Sequence, residues 1–213
     1  MKEKVVLVGV EWDVIDLIES IHFIDLIGIL ESTYPNECYD INYLGSDENW
    51  EELKAKYPGL KAVLPIDSPK IRARLLKYYG EEALMTLVSP ECYISSRATV
   101  GFGTIVQRGV KIMARASIGN CCKINVNATV HHESFIGHFC TLAPGAQVLG
   151  RVIVGNSVYI GAGAVIKQKC RIGDGAIIGA GAVVVDDIPP HVTVVGVPAK
   201  EIQRKIPLST PSA

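Results

Sequence analysis

An isoleucine, valine or leucine stands at every sixth position from Ile94 to Val184, sixteen times without interruption. Two positions before most of these anchors the residue is small (Ala98, Thr104, Ala116, Cys122, Ala128, Ser134). Glycine follows every third anchor, at Gly101, Gly119, Gly137, Gly155 and Gly173. A period of six inside a superperiod of eighteen predicts a three-sided coil with one short strand per side, the hexapeptide parallel β-helix. Neighbouring strands lie ~4.8 Å apart, so the repeat amounts to a prism roughly 24 Å tall. The turn glycines are expected to supply backbone angles that bulkier residues resist. Aromatic residues make up only 7% of the chain, which suits so narrow an interior.

Residues 1–85 lack this repeat and alternate short apolar runs with helical patterns, the signature of β-α-β units. Val5–Val10, Leu26–Leu30, Ile41–Leu44 and Ala62–Ile66 read as strands. Asp13–His22 reads as an amphipathic helix with Val14, Leu17, Ile18 and Ile21 on one face. A second helix over Trp50–Tyr57 has Ser46 or Asp47 as its N-cap. A third starts at Asp67-Ser68-Pro69 and stops at Gly80. The fold class expected is mainly β, with three parts: a small α/β domain over 1–85, the β-helix over 86–187 and a C-terminal tail or cap over 188–213. Ligands of a small parallel sheet usually sit beyond the strand C-termini.

The net charge of -1 leaves no electrostatic footprint for nucleic acid. No segment is long and apolar enough to suggest a membrane span, and the start of the chain shows no signal-peptide pattern. The six cysteines (Cys38, Cys92, Cys121, Cys122, Cys140, Cys170) show no metal-binding spacing. Three of them fall on small-residue positions of the hexads, so reduced structural thiols and a cytoplasmic protein are expected. A zinc site on three histidines needs ligands converging from separate coils or strands. Here the repeat has only His131, His132 and His138, all in one pair of hexads, and no metal is expected.

The hexad rule makes departures informative, and the clearest is Val130-His131-His132-Glu133-Ser134. Residues after an inward anchor face outward or form a corner. A histidine beside a carboxylate there can serve as a general base, because the carboxylate orients the imidazole and raises its basicity. Surface histidines are also common without any such role. His138, one hexad later, is expected within reach of the same face.

That motif, with Leu142-Ala143-Pro144-Gly145-Ala146 and Gly196-Val197-Pro198-Ala199-Lys200, resembles the left-handed β-helix acyltransferases. Within them the chain is similar to the bacterial sugar acetyltransferase branch of NeuD-like sialic acid O-acetyltransferases and bacillosamine-pathway N-acetyltransferases. The resemblance spans nearly the whole chain. It implies the left-handed coil, a homotrimer with active sites between subunits, acetyl-CoA as co-substrate and a nucleotide-sugar acceptor. It also implies that His132 is the base and Glu133 its partner. The Gly150 N–H would hold the thioester oxygen, and Thr141, Ala162, Ala180 and Lys200 would contact the cofactor. Gly9 and Glu31 would contact the acceptor.

Two departures bear on these expectations. The family's first strand ends in a glycine-rich turn, whereas here the stretch is Val8-Gly9-Val10-Glu11-Trp12-Asp13, with one glycine. Such a loop approaches a phosphate less closely. Many relatives carry a second histidine where this chain has Thr141, and threonine can donate a hydrogen bond but cannot shuttle a proton. The residues leave three readings open: N-acetylation of a nucleotide-linked amino sugar, O-acetylation of a sugar such as sialic acid, and a non-catalytic β-helix scaffold.

Overall fold

The computed structural model describes residues 2–33 and 41–202; Cys38 and residues 203–213 of the expected tail lie outside them. The repeat forms a left-handed parallel β-helix of two-residue strands on three faces. Face one runs from Leu87–Val88 through Lys123–Ile124 and Thr141–Leu142 to Ile177–Ile178, and continues into the tail. Face two runs from Tyr93–Ile94 to Val183–Val184, and face three from Thr99–Val100 to Arg171–Ile172. Strands eighteen residues apart pair in parallel, as Thr129 with Gln147 and Val130 with Val148. From Val106 to Val184 every anchor is buried, while Ile94 and Val100 in the open first coil are partly so.

The turn glycines have a different cause from the one expected. Gly119 and Gly137 do not take left-handed angles. Instead, a β-carbon on Gly119 would lie 2.6 Å from the Gly137 carbonyl oxygen, so the close stacking of coils excludes a side chain. The left-handed corner positions hold several non-glycine residues, among them Glu133 (φ 58°) and Arg151 (φ 61°).

Ahead of the coil, strands β1 (Glu3–Val8), β2 (Ile24–Leu30) and β3 (Lys61–Val63) form a parallel sheet in the order β2-β1-β3. Ile41–Leu44, expected as a strand, makes only a single bridge between Tyr43 and Ile29. Among the described residues three α-helices accompany the sheet: α1 (Trp12–Glu19), α2 (Trp50–Lys56) and α3 (Pro69–Tyr79). Helix α3 begins where the Ser68 hydroxyl accepts the Ile71 N–H, and it ends at Gly80, whose φ of +83° disfavours a side chain. Helix α1 buries Val14, Ile15, Leu17 and Ile18.

The apolar face of α1 reaches past its own sheet to the coil. The outward residues Leu87 and Ile105 of face one pack in the same cluster as Val14, Leu17 and Ile18. Further along face one the outward Lys123 and Thr141 are also buried, whereas Tyr159 is exposed and Ile177 half-buried. The α/β part thus covers the first coils of face one and leaves the later ones open. At the far end Ile188 bridges Ile172, and Thr193–Val195 pairs with Ile177–Ile178. Lys200–Ile202 then turns back antiparallel to Thr193–Val195 and closes the stack.

Candidate active site

His132 and Glu133 lie at the corner between faces two and three, held by the neighbouring coils on both sides. The Glu133 N–H donates to Ala114 O at 3.1 Å, and His132 O accepts from Arg151 N–H at 3.0 Å. The buried Ser134 hydroxyl donates to Leu149 O at 2.8 Å and accepts from Val152 N–H at 3.2 Å. The turn is rigid, yet the His132 side chain remains 54% exposed. Gly150 occupies the same corner one coil on. A β-carbon there would fall 2.6 Å from His132 Nε2, so the imidazole keeps this position only over a glycine. Among the described residues, no acceptor is paired with the Gly150 N–H. The exposed imidazole thus lies against a buried glycine whose N–H has no partner among the described residues.

Glu133 is held mainly by arginine. Its Oε2 accepts from Arg151 Nε at 2.5 Å, and Arg115 Nη1 lies 3.5 Å from Oε1. His132 Nδ1 is 3.9 Å from Oε2, too far for a hydrogen bond but close enough for electrostatic contact. The bond from Arg151 holds the Glu133 carboxyl below the usual carboxylate range. His138 is not on this face. It lies at the corner between faces three and one, where its Nδ1 accepts the Asn120 N–H at 3.0 Å. The His138 N–H in turn donates to Asn156 Oδ1, so this histidine belongs to a structural ladder along the corner.

The residues expected to meet the cofactor fall in several places. Ala162 and Ala180 are exposed and stack on the corner between faces one and two, and Lys200 is exposed on the closing strand. Thr141 corrects its expectation. It is 1% exposed, and its hydroxyl accepts from Arg72 Nη2 at 2.8 Å beneath α3, which leaves no face for a cofactor. The two residues expected to meet the acceptor share one cleft. Gly9 and Glu31 line one cleft of about 390 Å³ at the C-terminal ends of β1 and β2. The Glu31 carboxylate there accepts from Ser32 N–H and hydroxyl.

Comparison with known proteins matches residues 133–168 and 151–186 to the bacterial transferase hexapeptide family (six repeats). The acetyltransferase domain of PglB from Neisseria gonorrhoeae, solved with acetyl coenzyme A, superposes with a TM-score of 0.87 at 25% identity. That match covers 95% of this chain and 100% of the other. A histidine-to-alanine mutant of GDP-perosamine N-acetyltransferase from Caulobacter crescentus, solved with CoA and GDP-perosamine, gives 0.85 at 29% identity. It covers 93% of this chain and 96% of the other. Residues 133–186 thus carry the bacterial transferase hexapeptide repeat, and the fold as a whole is similar to these sugar acetyltransferases. A sequence search of curated proteins returns no significant match.

Several residues of this chain escaped sequence reasoning. Arg151 stands eighteen residues after Glu133, so the repeat itself carried the signal that the two would stack. Arg72 looked like one more charged residue of α3. In the fold it is 1% exposed and donates to Phe139 O, Cys140 O and Thr141 Oγ1 across the interface with the coil. Lys123 sits at an outward hexad position that is usually solvated, yet it is 2% exposed under the α/β part.

Proposed function

We propose that this protein is an acyltransferase that moves the acetyl group of acetyl-CoA to the amino group of a nucleotide-linked sugar of the 4-amino-4,6-dideoxy type. The neutral amine attacks the thioester carbon directly, with no acyl-enzyme. His132 accepts the amine proton as the tetrahedral intermediate forms, the Gly150 N–H holds the developing oxyanion, and CoA departs as the thiol with that proton. Glu133, pinned by Arg151, supplies a negative charge close to the imidazolium. The observation that carries the reading is the His132 ring set over Gly150, beside an N–H with no partner. The relative from Caulobacter crescentus, an N-acetyltransferase with GDP-perosamine bound, supports an amine on a nucleotide-linked sugar as acceptor.

The positions of cleft and base support a homotrimer with shared sites. The α/β part, residues 1–85 in this reading, rests on face one, and His132 occupies the opposite edge of the prism. An acceptor seated between Gly9 and Glu31 therefore reaches the His132 of a neighbouring copy more directly than its own. The exposed corner of Ala162 and Ala180 would likewise meet the neighbour's His132 corner and line the CoA groove with it. Lys200 is then a partner for CoA phosphates, and residues 188–213 serve as the cap of the coil 86–187. The setting in this reading is cytoplasmic. Five described cysteines are free, and no helix among the described residues is long and apolar enough to cross a membrane.

The test is CoA release, followed by thiol titration, with acetyl-CoA and a panel of UDP-, dTDP- and GDP-linked 4-amino sugars. Turnover on one member that disappears in His132→Ala is expected. Turnover only with a hydroxyl acceptor such as free sialic acid would replace the amine by an alcohol. Absence of acetyl-CoA binding would leave a scaffold.

A further inference from the structure

Lys123 places a charge where face one is buried, with its side chain 2% exposed. An ammonium in such a place needs close partners. Both come from the α/β part: Glu11 Oε1 at 2.5 Å and Asp67 Oδ1 at 3.2 Å. Glu11 closes the loop after β1, and it lines the same cleft as Gly9 and Glu31. Asp67 directly follows Pro65 and Ile66, which line that cleft from the loop after β3. One ammonium of the coil therefore ties together the two loops that border the cleft. A neighbouring contact holds the start of α1, which follows the first loop: Gln107 Nε2 donates to Asp13 O at 3.3 Å.

We propose that Lys123 is a positioning residue for the acceptor: by bridging Glu11 and Asp67 it holds the two cleft loops together, at the height of the coil that carries His132. This rests on the function proposed above. Lys123 and His132 are nine residues apart, half a coil, so their heights differ by about 2.4 Å, half the strand spacing. Rotation about an axis parallel to the coil stack leaves height unchanged. In a symmetric trimer built that way, the Lys123 bridge lies within about 2.4 Å of the height of the next copy's histidine at position 132. The chain lacks a glycine-rich turn that would wrap a phosphate closely. A loop pinned from below by Lys123 takes over the task of fixing where the acceptor sits.

Removing one partner of a buried ion pair costs stability, but Glu11 and Asp67 are 31% and 60% exposed, so water can take up the carboxylates that the lysine leaves. Lys123→Met is expected to fold with a lowered thermal midpoint, and glue is separated from positioning by where exchange and KM change. Hydrogen exchange in residues 9–13 and 65–68 is expected to accelerate about tenfold or more, with the hexads around His132 unchanged. With an acceptor that the wild type turns over, KM for that acceptor should rise about tenfold, while KM for acetyl-CoA stays put and Lys123→Arg restores much of the loss. Unaltered exchange in both loops, or equal rises in both KM values, would overturn the proposal. If Lys123→Met does not fold, Glu11→Gln is read in its place, with loosening of residues 9–13 as the expected result and unaltered exchange as the overturning one. A wild type silent on every acceptor would sink the proposed function, and hydrogen exchange would still decide the role of Lys123.

Discussion

The imidazole of His132 lies over Gly150 so closely that a β-carbon at residue 150 would sit 2.6 Å from Nε2. Gly150→Ala should therefore displace the ring and cover the unpaired N–H at once. We expect kcat to fall at least about 10²-fold, the scale of losing one oxyanion donor, while circular dichroism reports an intact coil. Near-normal turnover in this variant would remove Gly150 from the mechanism.

Glu133 gives a pH prediction with a definite sign. The bond from Arg151 depresses its carboxyl pKa, so Glu133 keeps its charge to lower pH than a free glutamate. Whatever the pair adds to stability is present above the ordinary carboxylate range and is lost as pH falls through the Glu133 value. In Arg151→Ala the side-chain carboxyl carbon of Glu133, followed by NMR, should titrate at higher pH than in the wild type. Identical titration curves would show that Arg151 does not hold it in solution.

Thr141 makes a test of interface against cofactor. Thr141→Val removes an acceptor from the buried Arg72 guanidinium, whose Nε already lacks a partner. A destabilisation of about 1 kcal/mol is expected by denaturant titration, the usual net worth of one hydrogen bond, because the same nitrogen keeps Phe139 O. The Kd for acetyl-CoA, measured by calorimetry, should not change. A clear weakening of cofactor binding would return Thr141 to the cofactor site.

Burial pushes the Cys121 thiol up to about 12 and raises Cys122 as well. Both stay protonated through neutral pH, and any stability this confers is full below the ordinary thiol range and declines as pH rises toward those higher values. Native protein at pH 8 should thus show slow labelling at Cys121 and Cys122 by mass spectrometry, with fast labelling only after denaturation. Rapid native labelling of either would mean that the coil opens far more readily than its packing implies.

The hexads made the coil, its three faces and the inward anchors legible from residue order alone, because a repeat places each side chain without reference to anything distant. Gly9 and Glu31 could also be paired, since both follow strands of one small parallel sheet. The seat of the α/β part on face one was harder to read. It depends on Leu87 and Ile105 being apolar at outward positions, a departure visible only once inward and outward are known. The partners of Arg72 and Lys123 lie up to 112 residues away, and no local pattern announces contacts of that range. Thr141 was assigned by its place in a motif, and the burial that decides its role comes from a helix folded long before it in the chain.

The pairing of His132 with Gly150 across one coil also bears on how such genes can vary. A deletion or insertion of a single hexad between these two codons would preserve the inward anchors and the packing of the core. It would nevertheless carry every later residue one edge round the prism, and the partner of the histidine would end up at the wrong corner. Length between them can change only by whole turns, and even then another glycine must arrive beneath the ring. In this stretch the reading of the lineage is geared like a ratchet, and a well-folded chain with a lost hexad would be a silent protein.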